Sequence, residues 1–222
     1  MSYVIDSYTK LLIPFNGTDG DTNPQTALTG QTVTLYGDAQ IDTDYQTIGT
    51  SSLLLDGSGD YATVPASADW SFGTGDFAID FWIRPSSQND QIYLGQYNNS
   101  SIQWYVGIVT SGLQILVLNS TTIAHYRTNT LPTSEVWSHL LFSRSGANVY
   151  IFINGVDTEA GANTAIGTNS FPDLSSKVLQ MSGITSAGTK YRGSMSYVRV
   201  RKGMSVVENF TPPNEANFLG MF

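Results

Sequence analysis

The nine residues FAIDFWIRP (Phe77 to Pro85) constrain this chain most, because their polarity alternates with a period of two. Phe77, Ile79, Phe81 and Ile83 fall on one side, and Ala78, Asp80, Trp82 and Arg84 on the other, as in a strand with one face in a core. The period returns in NVYIFING, where Val149, Ile151 and Ile153 alternate before Asn154-Gly155, the dipeptide of a type I′ hairpin turn. With further runs such as TVTLYG, SSLLLDG, IQWYVGIV and LQILVLN, the chain reads as about thirteen short strands spaced as in a sandwich. In IQWYVGIV the alternation buries Ile102, Trp104, Val106 and Ile108 and exposes Gln103, Tyr105 and Gly107. No long window carries a capped helical stripe, so helix is expected to be nearly absent. Two polar stretches, Gly17 to Gln31 and Gly161 to Lys177, read as long connections, which in a compact domain tend to carry function.

The 222 residues suffice for one large all-β domain, and 41% hydrophobic against 13% charged residues gives it a core to bury. The net charge of −8, with Lys and Arg scattered, excludes the basic footprint of a nucleic-acid binder. Without Cys there are no disulfides, thiolate metal sites or thiol nucleophiles. The start, MSYVIDSYTK, lacks the pattern of a signal peptide, and no apolar run is long enough to insert in a membrane.

Catalytic signals are weak. The two histidines, His125 and His139, sit inside strand patterns without a recognisable nucleophile signature and read as structural. A glycosidase needs two carboxylates in opposed environments, and the E-x-D-x-x-E arrangement that β-sandwich glycanases use is missing. Asp19 with Asp21, and Asp56 with Asp60, lie in Asp-Gly segments that suit hard-oxygen ligation of Ca²⁺ but equally suit ordinary β-turns. Aromatic residues gather at Tyr93, Tyr97, Trp104, Tyr105 and Tyr126, and exposed rings of this kind stack on sugars or anchor protein interfaces. Both ends carry apolar residues outside the periodic region: Met1, Tyr3, Val4 and Ile5, then Phe218, Leu219, Met221 and Phe222. They read as docking tails for self-association, or as covers for the sandwich's own edges.

Taken together, TKLLIPFNGTDGDT, the stretch Ser51 to Pro85, VWSHLLFSRSGANVYIFINGVDT, YRGSMSYVRVRKG and NFTPP resemble the concanavalin A-like, laminin G-type jelly-roll domains, in the versions common in tailed-bacteriophage structural proteins. The resemblance implies two antiparallel sheets face to face, with the first and last strands adjacent. It places an arm over 1–7, the jelly roll over 8–210 and a tail over 211–222. Leu53, Leu55, Phe77, Ile79, Phe81, Leu141, Val149, Ile151, Ile153, Val198 and Val200 would line the core. Family members often hold Ca²⁺ on an Asp in the last core strand, where this chain has Ser196, and on a carboxylate in the first block, where it has Asn16. Those departures predict no strong calcium dependence. By resemblance, the expected role is that of a non-enzymatic structural protein on the virion surface of a tailed phage, a capsid decoration protein or a tail or tail-fibre component, with a homotrimer favoured and other virion proteins as partners. The alternative is a carbohydrate-binding module for host surface glycan.

Overall fold

The computed structural model describes residues 5–184 and 189–214. Phe77 to Pro85 is a strand at the centre of one sheet, and sixteen further strands surround it among the described residues. In chain order they are β1 (Thr9–Ile13), β2 (Gln25–Thr26), β3 (Thr32–Tyr36), β4 (Gln40–Asp42), β5 (Ser52–Asp56), β6 (Tyr61–Val64), β7 (Phe77–Pro85), β8 (Gln91–Asn99), β9 (Ile102–Val109), β10 (Gly112–Asn119), β11 (Thr121–Thr128), β12 (Ser138–Ser145), β13 (Asn148–Ile153), β14 (Val156–Asp157), β15 (Gly161–Thr164), β16 (Leu179–Met181) and β17 (Arg192–Lys202). The sole helical element described is a 3-10 turn at Ala68–Trp70, capped by Ser67. Two of the strands, β2 and β15, fall inside the stretches expected to be plain connections.

An eight-stranded sheet runs β14-β13-β12-β7-β17-β5-β4, with β1 also on β17, and a nine-stranded sheet runs β15-β11-β10-β9-β8-β16-β6-β3-β2. The first and last strands pair antiparallel, as the resemblance implies. Asn154 and Gly155 take φ of 52° and 79° between β13 and β14, the positive pair that a type I′ turn needs.

The core fills the space between the sheets. Phe72, Phe77, Trp104 and Phe171 form one aromatic group within it, and Phe81 packs on Tyr93 and Phe142. At β12 the expected register is off by one residue: Leu140 and Phe142 belong to the core, while Leu141, also buried, alternates with them onto the outer face beside His139. A run of consecutive apolar residues (Leu140, Leu141, Phe142) carries no periodic signal to choose between the faces.

In β17 a bulge between Ser196 and Arg199 puts Tyr197 at φ 52°. The extra residue lets Met195, Val198 and Val200 all reach the core while Arg199 and Arg201 turn outward.

Candidate functional site

The outer face of the nine-stranded sheet is built by the residues that alternate against the core. Register pairs line up Thr34, Thr63, Gln180, Gly95, Tyr105, Leu116, His125 and Thr164 in one row across eight strands. Beside it run Tyr97, Gln103 and Leu118 on one flank, and Ile92, Gly107, Gln114 and Arg127 on the other. Glycine is required at two of these places. A Cβ on Gly95 would lie 2.3 Å from the Trp104 carbonyl oxygen, and one on Gly107 would lie 2.4 Å from that of Gln91. The centre of the face is therefore free of side chains at Gly95 and Gly107, and it is buried beneath Tyr97, Tyr105, Leu116 and Ile92, which pack together with Ile184 and Val109. Gln103, Tyr105 and Gly107 thus face outward as expected but are not exposed.

Across this face runs a directional chain of hydrogen bonds. Burial, aided by the Arg127 charge, holds the His125 pKa below its usual value, so the ring is neutral at neutral pH. Its Nε2 lies 3.1 Å from Gln114 Oε1 and its Nδ1 3.3 Å from Asn163 Nδ2. The amide oxygen can only accept and the amide nitrogen can only donate, which assigns the proton to Nε2. Gln114 then donates from Nε2 to the Tyr105 hydroxyl at 3.0 Å. His125 and Gln114 each accept from one neighbour and donate to the next, and the chain ends on the Tyr105 phenol, whose own hydrogen has no acceptor among the described residues. At the far side of the sheet Tyr36 and Tyr61 stack at 4.4 Å, with the Lys190 ammonium over the Tyr61 ring.

The four tyrosine candidates divide between the two faces, and Trp104 lies in the core as expected. Tyr97 and Tyr105 lie on this outer face, although Tyr105 is only 8% exposed. Tyr93 is instead a core residue, packed edge-on against Phe81 and Tyr191, because a bulge between Ile92 and Leu94 resets the alternation of β8. Tyr126 also belongs to the core, its hydroxyl accepting from the Ile166 amide. Phe218 and Phe222 lie outside the described residues.

The weak metal candidates serve turns. Asp60 is buried and accepts from the Asp38 and Asp56 amides, and Asp56 accepts from the Ser58 amide. Asp19 accepts from Thr43, and Asp21 from Asn23 and Gln25. Ser196 donates to the Pro14 carbonyl, and the Asn16 amide oxygen accepts from Thr50. Among the described residues, no three of His, Asp and Glu gather as a metal site would need.

The opposite outer face, on the eight-stranded sheet, carries a charge cluster that the sequence did not reveal. Asp80 on β7 receives Arg199 through two hydrogen bonds of 2.9 Å, Arg201 at 3.4 Å and His139 Nε2 at 3.2 Å. Burial opposes ionisation of Asp80, but Arg199, His139 and Arg201 outweigh it and hold the carboxyl well below its usual pKa. Burial keeps His139 neutral, overriding the pull of Asp80. All four side chains are closed off from solvent, and the His139 ring sits edge-on to Trp82 and Phe210. The cluster links β7, β12 and β17, and through His139 it touches Phe210 of the C-terminal segment.

No curated protein matches this chain by sequence. Among solved structures, domain 4 of an extracellular arabinanase from Geobacillus stearothermophilus, in complex with arabinotriose, matches with a TM-score of 0.64 at 17% identity, over 90% of this chain and 96% of that one. The binding domain of Paraclostridial Mosquitocidal Protein 1 matches at 0.63 and 13% identity, and the botulinum neurotoxin serotype G binding domain at 0.62 and 15%. The chain covers 50% and 48% of those two, so it spans about half their length. At such identities the likeness is one of fold. A laminin G family model, described as "Concanavalin A-like lectin/glucanases superfamily", matches residues 56–204, and the chain belongs to that superfamily.

Proposed function

We propose that this domain is a non-catalytic carbohydrate-binding module that engages an extended glycan across the outer face of the nine-stranded sheet. The observation that carries the reading is the combination of the glycine pair Gly95 and Gly107, the Tyr97 and Tyr105 rings, and the polarised Asn163, His125, Gln114 and Tyr105 chain. Sugars present an apolar C–H face and a rim of hydroxyls that both donate and accept. The half-buried Tyr97 ring, backed by the buried Tyr105, answers the first and side-chain amides the second. The groups are uncharged apart from Arg127 at the flank, which suits a neutral chain. The arabinanase domain in complex with arabinotriose, sharing this fold, is consistent with the reading. A virion setting, with trimers formed through the tails, is a place where such a module would work, and the glycan reading does not depend on it.

Calorimetric titration with arabinotriose and a panel of neutral plant and bacterial oligosaccharides tests the proposal. Binding that weakens at least about tenfold, roughly 1.4 kcal/mol, in Tyr97→Ala and Gln114→Ala supports it. Release of reducing ends would contradict the non-catalytic part, and unaltered binding by both variants would remove the face from consideration.

A further inference from the structure

One end of the eight-stranded sheet's outer face opens into a cleft of about 330 Å³, near the small end of the range of about 300–1,000 Å³ for ligand pockets. Its floor is the row Leu54, Ser194 and Arg84, in register across β5, β17 and β7. At the rim, Asp56 and Arg192 face each other across the strand pair without forming an ion pair. The opposite wall is Tyr45, 44% exposed, with the Arg84 guanidinium lying 3.8 Å over one face of its ring. Glu135 pairs with Arg84.

This wall is held in place by backbone contacts. The Ser52 hydroxyl donates to the Tyr45 carbonyl at 2.7 Å, and the Glu135 amide donates to the Pro85 carbonyl at 2.8 Å. Glu135 takes φ 61°, a conformation that a residue with a Cβ adopts at a cost and that clusters at binding sites. On the floor side Gly193 cannot be replaced, since a Cβ there would lie 2.2 Å from the Arg84 carbonyl oxygen.

We infer that this cleft is a second saccharide site, which takes one neutral sugar unit through a vicinal diol. Two cations, Arg192 and Arg84, and two anions, Asp56 and Glu135, line it together, so a ligand of either net charge meets a like charge as well as an opposite one. A diol does not. Its two oxygens accept from the Arg192 fork while its two hydrogens donate to Asp56, and the sugar's C–H face lies along Tyr45. The small volume favours a terminal unit over the length of a chain. The inference rests on the reading that the domain binds carbohydrate, but it uses other residues on the opposite sheet. A domain with both sites holds two glycan chains at once, and its avidity for a dense glycan surface exceeds that of either site.

Amide-resolved NMR titration of the full chain separates the two sites, with the methyl glycosides of mannose, glucose, galactose and arabinose as probes and sialyllactose and L-alanine as charged controls. The expected result is saturable shifts at Leu54, Gly193 and Ser194 with at least one neutral glycoside. Those shifts should be lost in Tyr45→Ala and Arg192→Ala, which keep the melting temperature of the parent, and retained in Gln114→Ala. Shifts confined to the Tyr97, Gln103 and Gln114 amides would overturn this inference and leave the sheet-face proposal standing. Shifts confined to the cleft would do the reverse. Response to L-alanine or sialyllactose alone, or no shift in either region, also overturns the inference.

Discussion

Asp80, on the outer face of the eight-stranded sheet, has no exposed surface and two guanidinium groups within hydrogen-bond reach; Gln114, on the outer face of the nine-stranded sheet and 3% exposed, has only a phenol and an imidazole. Both sit at the middle of long alternating strands, so local sequence does not make the difference. The first face is roofed by its own chain: Ile48 and Leu12 pack on Tyr197 and Trp82, while Phe210 lies against His139 and Phe152. The roof is tied down by the Phe210 amide on the Gly155 carbonyl, Asn209 on the Asp157 amide and the Val206 amide on Ser143. Under a roof a charge must be paired, and once paired it is costly to disturb. The second face is also buried at its centre, where Ile184 packs on Ile92 and Tyr105, but the polar groups described there are neutral side chains, which can exchange one hydrogen-bond partner for another without leaving a buried charge.

The contrast is broken most severely at Asp80. Asp80→Ala leaves two guanidinium groups buried without that carboxylate, and we expect a loss of about 3–5 kcal/mol, as when one partner of a buried pair is removed. A urea denaturation midpoint close to that of the parent would mean that water reaches the cluster and that the roof is not closed.

Acid should act on the same face. His139 is held neutral in the fold by burial, and Asp80 is held ionised. In the unfolded chain the imidazole takes up a proton near pH 6.5 and the carboxylate near pH 3.9. Below about pH 6.5 the unfolded state therefore binds a proton that the folded state resists, and stability falls as pH falls, by up to about 1.4 kcal/mol per pH unit for one group. The Asp80 contribution is complete above its unfolded pKa and is lost as pH drops toward its depressed folded value. His125 acts in the same sense as His139. Denaturation midpoints should decline from about pH 7.5 to about pH 5, and His139→Gln should flatten that decline. A flat profile in the parent would show that the buried imidazole accepts a proton without cost.

How much of this was legible depended on whether the signal was local. Phe77 to Pro85 displays its buried and outward sides plainly, and Val198 and Val200, expected in the core, are found there. Asp80, the partner of Arg199 and Arg201, lies 119 and 121 positions before them, and no local pattern points to it. Tyr93 and Tyr97 are four residues apart and would share one face of a plain strand. The bulge in β8 separates them, and a bulge leaves no reliable mark in the sequence. Arg144 was equally silent. Its guanidinium donates to the carbonyls of Gly73, Gly146, Gly167 and Asn169, tying together loops distant in the chain through backbone atoms that any sequence would supply.

Phe210 tests the roof more gently. Its ring is half-buried, so Phe210→Ala should cost about 1–2 kcal/mol, part of what full burial of a Phe side chain contributes. It should also bring forward the acid transition by exposing His139. Hydrogen exchange at the His139 and Phe152 amides is the matching readout; unchanged protection there would mean that Ile48 and Leu12 suffice to close the face.

The smallest effect on stability should come from the outer face of the nine-stranded sheet, at Asn163. This side chain is exposed and contributes a single hydrogen bond, 3.3 Å to His125. Asn163→Ala should therefore change the unfolding free energy by no more than about 0.5 kcal/mol, the usual range for a surface substitution. Binding is a different matter on the reading proposed above. Asn163 begins the chain of donors and acceptors that ends at the Tyr105 hydroxyl, and with it gone the His125 ring can turn and release Gln114. Oligosaccharide affinity should fall by about two- to tenfold, the worth of one hydrogen bond. Asn163→Asp should do worse than Asn163→Ala, because a carboxylate beside Nδ1 draws a proton onto the ring and reverses the donor order at that position. Equal affinities for the parent and both variants would show that the polarised chain does not govern binding, leaving the tyrosine rings to account for it.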